Sequence, residues 1–171
     1  MKTLDYILVD GYNVLNSWEE VKKYKQDFEF ARYKLVDMLC NFASYRGVSV
    51  VVVFDAHKQI GGVEKKEKHK GVDVIYTKEG EIADCYIERT VYKLSKKYNI
   101  GVVTSDNLEQ RIALQMGAIR ITPKEFLEQI KHTDQKIAKR TELSYVERKN
   151  FLENCVEKDI LEKLENMRRN L

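Results

Sequence analysis

Asp10 closes the apolar run Tyr6-Ile7-Leu8-Val9, Asp55 closes Val48–Phe54, and Asp106 follows Ile100–Thr104 after a single serine. Asp84 stands early in an amphipathic stretch, with Glu81 three residues before it and Glu88 four residues after. If these acids meet, they and the Asn13 amide form a hard oxygen donor set suited to Mg²⁺ or Mn²⁺. Without a cation they repel. On a helix, like charges at such spacings cost roughly 0.2–0.5 kcal/mol a pair.

Each acid also has a structural reading. Asp106 with Glu109 makes a capping box, and Glu81 and Asp84 suit the positive end of a helix dipole. Asp55 fits an ordinary turn. Asp10 is harder to explain this way, because Asp10-Gly11-Tyr12-Asn13 leaves a carboxylate in a turn directly after a buried strand. Other chemistries lack their motifs. There is no G-x-G-x-x-G after the first strand, no G-x-x-x-x-G-K-[ST] and no G-x-S-x-G. His57, His69 and His132 lack metal-ligand spacing and read as solvated, and Tyr12 stands where a dehalogenase-type phosphatase would carry its second aspartate.

The elements that must position these acids alternate. Strands are predicted over Tyr6–Val9, Val48–Phe54, Val72–Tyr76, Ile100–Thr104 and Ala118–Ile121. Between them, Phe28–Tyr45 has apolar residues at three- and four-residue steps and ends before Gly47, a candidate C-terminal cap. Further helices are predicted over Glu81–Tyr98 and Asp106–Met116, and Thr122-Pro123-Lys124-Glu125 opens another with a capping box. The β–α order predicts an open, mainly parallel sheet with helices on both faces, whose ligands bind beyond the carboxyl ends of the strands. From Lys131 the chain turns polar, and Ser144-Tyr145-Val146-Glu147 reads as the start of a last helix striped by Leu152, Val156, Ile160, Leu164 and Met167. The expected organisation is one domain over 1–131 and a basic connector with an appended C-terminal helix over 132–171.

Composition allows this and excludes some classes. The 171 residues are 43% hydrophobic and 33% charged, enough for one packed core and too apolar for a disordered chain. A net charge of +3 tolerates an anionic partner without requiring one. Cys40, Cys85 and Cys155 have neither disulfide nor zinc spacing and read as reduced thiols. No run approaches the ~18 apolar residues of a membrane span or forms a signal peptide. A cytoplasmic protein, without membrane contact and monomeric, is expected.

The motifs resemble a family in their order. Asp10-Gly11-Tyr12-Asn13, Val53-Phe54-Asp55-Ala56, Glu81-Ile82-Ala83-Asp84 with Ile87-Glu88, and Thr104-Ser105-Asp106 with Glu109-Gln110 are similar to YacP-like NYN domains of the PIN-like nuclease superfamily. The likeness continues through Ala31-Arg32, Gly117-Ala118 and Leu164–Arg169, and so covers nearly the whole chain. It departs at Ile82, where the motif carries threonine. The resemblance implies a PIN-like fold and a metal-dependent endoribonuclease. Asp10, Asp84 and Asp106 would be ligands, with Asn13 and Asp55 in support and Glu81 and Glu88 nearby. It also implies ribosome-associated mRNA cleavage, the activity of one subgroup. Two other readings stand beside this one: a catalytically silent RNA- or ribosome-binding module, and a structure-specific DNA nuclease.

Beside the acids, His57–Gly71 carries Lys58, Lys65, Lys66, Lys68 and Lys70 against two glutamates. It could follow a phosphate backbone or simply be a solvated loop. With Arg32 it forms the expected RNA-binding surface. Tyr12 and Trp18 could stack on a base or lie packed. Lys136, Lys139 and Arg140 are the expected ribosome-docking residues.

Overall fold

A computed structural model describes residues 3–21, 27–55, 64–78, 80–155, 160 and 166–168. In chain order the elements are β1 (Tyr6–Asp10), α1 (Gly11–Ser17), α2 (Phe28–Arg46), β2 (Ser49–Phe54), β3 (Lys65–His69), β4 (Val72–Tyr76), α3 (Ala83–Leu94), β5 (Ile100–Val103), α4 (Asn107–Gln115), β6 (Ile119–Ile121) and α5 (Pro123–Cys155). The six strands form one sheet in the order β3-β4-β2-β1-β5-β6, and only β3 runs antiparallel to its neighbour. From β1 the chain moves outward to β2 on one side and later crosses to β5 on the other. The strand order therefore reverses between β1 and β5, the place where open α/β sheets bind ligands.

Period-two alternation sends β1 and β2 side chains to two cores. Ile7, Val9, Val50, Val52 and Phe54 pack under α1, α2 and the first turns of α5, where Phe126 and Ile130 are fully buried. Leu8, Val51 and Val53 face the opposite way, against Ile87 and Val91 of α3 and Ala113 of α4. β2 is buried on both faces, as a central parallel strand must be. α2 ends on Gly47, whose φ of 65° is the left-handed cap that glycine adopts without strain.

Several expectations are corrected. Asp10–Asn13 is no free turn: Asp10 caps a helix that begins at Gly11. A Cβ at Gly11 would come within 2.2 Å of the edge of the buried Phe54 ring, so this immediate entry into α1 favours glycine. The expected lysine loop contains the edge strand β3, which lacks apolar alternation because neither of its faces is fully covered. α3 begins at Ala83 rather than Glu81, leaving Glu81 off the helix face. Lys131–Leu143 continues α5, and Ser144 opens no new helix. That stretch has neither glycine nor proline and is rich in good helix formers, so nothing in it stops propagation. The chain divides into two compact units, Met1–Thr133 and Asp134–Leu171. Of the C-terminal stripe, Ile160 and Met167 are exposed; Val156 and Leu164 lie outside the described residues. Among the described residues no helix is long and apolar enough to cross a membrane.

Candidate metal centre

The carboxylates at the sheet's carboxyl edge are held by helix starts. Asp10 Oδ1 accepts the Asn13 N–H at 2.9 Å, and its Oδ2 accepts from Asn13 Nδ2 at 2.6 Å. Asn13 Nδ2 also donates to Thr104 Oγ1 at 3.2 Å, while Ser105 Oγ donates to Asn13 Oδ1. One amide thus ties the end of β1 to the turn after β5. Asp106 Oδ1 accepts from the Leu108 N–H at 2.6 Å and the Glu109 N–H at 3.3 Å, capping α4. Asp55 Oδ1 accepts from the Ala83 N–H, which caps α3 from the end of β2, because Ile82 has no side chain able to do so. Three helix N-termini, each with unpaired N–H groups and a positive dipole end, therefore converge on this edge.

Among the described residues, Asp10, Asp84 and Glu109 form the one group fit to hold a metal: an oxygen from each lies within 4.8 Å of the others. Glu109 is only 6% exposed, and neither of its carboxylate oxygens has a hydrogen-bond partner. Burial pushes its carboxyl up to about 7; the Thr104 hydroxyl, short of hydrogen-bonding geometry, works against this, and the charges of Asp84, Asp10 and Asp106 add to it. Burial also raises Asp10, held back by the Asn13 N–H and raised further by Asp84 and Asp55. Asp84 is raised by burial and by the charges of Asp106 and Asp55. Three carboxyls that ionise reluctantly and lie this close would be stabilised as anions by positive charge between them. An all-oxygen set of this kind fits Mg²⁺ or Mn²⁺.

The other expected residues are placed as follows. Asp55 and Asp106 are close enough for their charges to act on the cluster, but each commits an oxygen to a helix cap. Glu81 forms an ion pair with Arg89 at 2.8 Å. Glu88 is exposed on α3, one turn beyond Asp84. Tyr12 is half-buried with its ring edge-on to Phe54 at 5.4 Å. Trp18 is 2% exposed within the α1–α2 core, so it is packed and offers no stacking face. The Arg32 guanidinium lies 5.8 Å from the Tyr76 ring centre.

Alternation on β3 divides the lysines. Lys65 shares a groove with Arg32 and Tyr76 and pairs with Glu67 at 2.7 Å, whereas Lys66 pairs with Asp73 of β4 at 2.9 Å. Lys68 and Lys70 are exposed, as are Lys136, Lys139 and Arg140 in the second unit; Lys58 lies outside the described residues.

Glu109 is the residue that the sequence reading assigned only to a cap. Two further positions emerge beside it. Gln110 Nε2 donates to the Thr104 carbonyl at 2.7 Å, and Arg120 Nη1 donates to Gln110 Oε1 at 2.9 Å. This relay from β6 braces the turn that carries Ser105 and Asp106. The burial of Glu109, Gln110 and Ala113 on one face of α4 is what turns Glu109 inward, and the sequence alone does not separate that from a cap.

Sheet, switch point and acids together define an α/β protein with a candidate metal centre where its strand order reverses. The chain belongs to the YacP-like NYN domain family, whose model matches residues 7–169. NYN domains have the PIN-like nuclease fold, which supports a nuclease-related function. The chain is 36% identical over 139 residues to the YacP protein of Bacillus subtilis (strain 168), covering 80% of this chain and 81% of that one. A crystal structure of Rae1 (YacP) from Bacillus subtilis matches with a TM-score of 0.72 at 35% identity, covering 97% of this chain and 95% of that one. Its W164L mutant matches with a TM-score of 0.70 at 36% identity, covering 82% and 83%.

Proposed function

We propose that this chain is a divalent-metal-dependent endoribonuclease that hydrolyses RNA phosphodiester bonds and cleaves mRNA on the ribosome. Glu109 carries the reading. It is a buried carboxyl whose oxygens make no hydrogen bond of good geometry, within 4.8 Å of Asp10 and Asp84, and a cation between the three would stabilise its charged form.

Asp10, Asp84 and Glu109 would hold the ion, with Asp55 and Asp106 adding negative charge from the rim. When bound, a divalent ion stabilises charge on the scissile phosphate and lowers the pKa of an attacking water. Asn13 locks the orientation of Asp10 and, through Thr104, the spacing between β1 and the Asp106 turn. Gln110 and Arg120 brace the same turn from behind. No side-chain nucleophile is required.

Strand binding is supported by the groove between α2 and β3–β4, where Arg32 and Lys65 flank Tyr76. Tyr76 is half-buried there, with its ring held on the fully buried Phe54 at 5.8 Å. An aromatic ring flanked by cations suits a single strand. RNA and the ribosome enter through the resemblance to the ribosome-associated mRNA endonucleases. In this reading 1–131 cuts, and 132–171 docks through Lys136, Lys139 and Arg140.

The test uses purified protein, single-stranded RNA and DNA, and Mg²⁺, Mn²⁺ or EDTA, with and without translating ribosomes. RNA cleavage should be lost in EDTA. Asp10→Asn and Asp84→Asn should lower it by more than about 100-fold without unfolding the protein, since an amide is nearly isosteric but a poorer ligand. Asp106→Asn should follow. Charge reversal at Lys136, Lys139 and Arg140 should reduce cosedimentation with ribosomes. Wild-type rates in all three aspartate variants would refute the site, and cleavage of DNA alone would refute the substrate.

A further inference from the structure

A groove of about 200 Å³ opens between α3 and α4, directly beside the acids. Asp84 and Glu109 belong to both the groove and the metal cluster, so the two are continuous. The rest of its wall is mainly apolar, and two large side chains there are left in solvent: Leu108 is 66% exposed and Ile82 43%. Neither is needed by the core, and exposed apolar surface next to a charged centre marks a contact site. The chemistry of the groove narrows its occupant. Every charged side chain lining it is an acid, with no lysine, arginine or histidine, so away from the proposed ion at Asp84 and Glu109 nothing in it would hold a phosphate. It is smaller than the ~300–1,000 Å³ of a pocket for a drug-sized ligand and has room for one planar ring system. A nucleobase has this shape and polarity: apolar faces, and exocyclic amino donors along the edge in adenine, cytosine and guanine. Glu88, at the groove's acidic side, is an acceptor for such a donor.

We propose that the α3–α4 groove receives the base of one nucleotide flanking the scissile phosphate, unstacked against Leu108 and Ile82, with Glu88 accepting from its amino group. This rests on the ribonuclease reading and adds to it a requirement for an unstacked base and a preference against uracil at one position. A duplex holds that base in its stack and is disfavoured.

The experiment uses the full chain and short single-stranded RNAs of mapped cleavage position, each with one flanking nucleotide made abasic. Binding is measured by fluorescence anisotropy in the Asp10→Asn background, where the strand stays intact, and KM in otherwise wild-type protein. At one flanking position the abasic residue should weaken binding roughly 10-fold, the scale of one base–side-chain stack. Leu108→Ala should weaken binding of the intact strand by a similar factor and leave the abasic strand unaffected, because both changes remove one contact. Glu88→Leu should erase the preference for cytosine over uracil there. Leu108→Ala within about twofold of its parent, or abasic and Leu108 effects that multiply, would overturn the slot while wild-type cleavage keeps the nuclease reading. Wild-type protein that cuts no RNA under any ion or ribosome condition would overturn both.

Discussion

The acid cluster beyond β1 and β5 and the lysine-bearing edge strand β3 both concentrate like charge, and the fold treats them in opposite ways. On β3 the charges are exposed and locally compensated, Lys65 by Glu67 at 2.7 Å and Lys66 by Asp73 at 2.9 Å. At the acids the carboxyls are buried or half-buried, and neither Glu109 oxygen makes a hydrogen bond of good geometry. Charge that a fold neutralises within itself costs little and says little about ligands. Charge that it buries and leaves unmatched costs stability in the free protein, and that cost has a use only when something positive arrives. The contrast supports the proposed cation site at the acids and leaves β3 an electrostatic flank.

The strongest way to break this contrast is by pH. A folded Glu109 keeps its proton up to about pH 7, whereas in the unfolded chain it ionises near the ordinary value of 4.5. Between these values the folded state holds more protons, so the stability of ion-free protein must fall as pH rises through the window. The full effect is at most about 3 kcal/mol. Asp10 and Asp84, also raised, act in the same direction. Glu109→Gln should therefore flatten the slope and stabilise the ion-free protein above neutrality, while reducing the stabilisation given by Mg²⁺ or Mn²⁺. Denaturant unfolding across the window measures this, and stability rising with pH through it would contradict the burial of an unmatched acid.

A smaller effect is expected at the relay behind the acids. Gln110→Ala removes the donor to the Thr104 carbonyl and frees Arg120, so one buried acceptor is left unpaired. The cost should be about 1–3 kcal/mol in thermal or denaturant unfolding, with weaker ion binding because the Asp106 turn loses its brace. No change in either would leave Gln110 as packing alone.

The smallest change in stability belongs to β3. Replacing Lys65, Lys66, Lys68 and Lys70 with alanine should leave the melting temperature nearly unchanged, since exposed pairs contribute little. RNA binding should instead lose salt dependence, by about 0.7 in log–log slope for each phosphate contact removed. Lys65 and Lys66 are already engaged with acids, so the total should fall short of four contacts. An unaltered slope would reduce β3 to a solvated edge.

What could be read from the sequence followed the strength of local signals. α2 was legible because its apolar steps end on Gly47, and the start of α5 because Thr122 and Glu125 form a reciprocal box, with Glu125 Oε2 accepting from the Thr122 N–H at 2.8 Å. Central strands were legible as apolar runs. β3 was not, since Lys65–His69 is a strand only by virtue of pairing with β4, and an exposed edge imposes no pattern on its residues. Asp10 and Asp84 could be singled out from their positions beyond strands, and the structure brings an oxygen of each within 4.8 Å of one from Glu109. Glu109 was missed because three residues after Asp106 a glutamate reads as a cap partner, and only the packing of α4 turns it inward. The start of α3 was misjudged because its cap, Asp55, is 28 residues away in the chain.

Helix capping by Asp10, Asp55 and Asp106 has one more consequence. Each of these carboxylates accepts from a backbone amide at a helix start, those of Asn13, Ala83 and Leu108. Any change in proton load or ion occupancy at the centre must alter the hydrogen bonds those amides make. Their nitrogen and proton resonances form a built-in gauge of the site, readable by NMR without label or substrate. The same wiring runs in reverse: a fluctuation that frays the first turn of α1, α3 or α4 loosens a carboxylate, so in the proposed metal centre the mobility of three helix starts would set how sharply an ion is gripped.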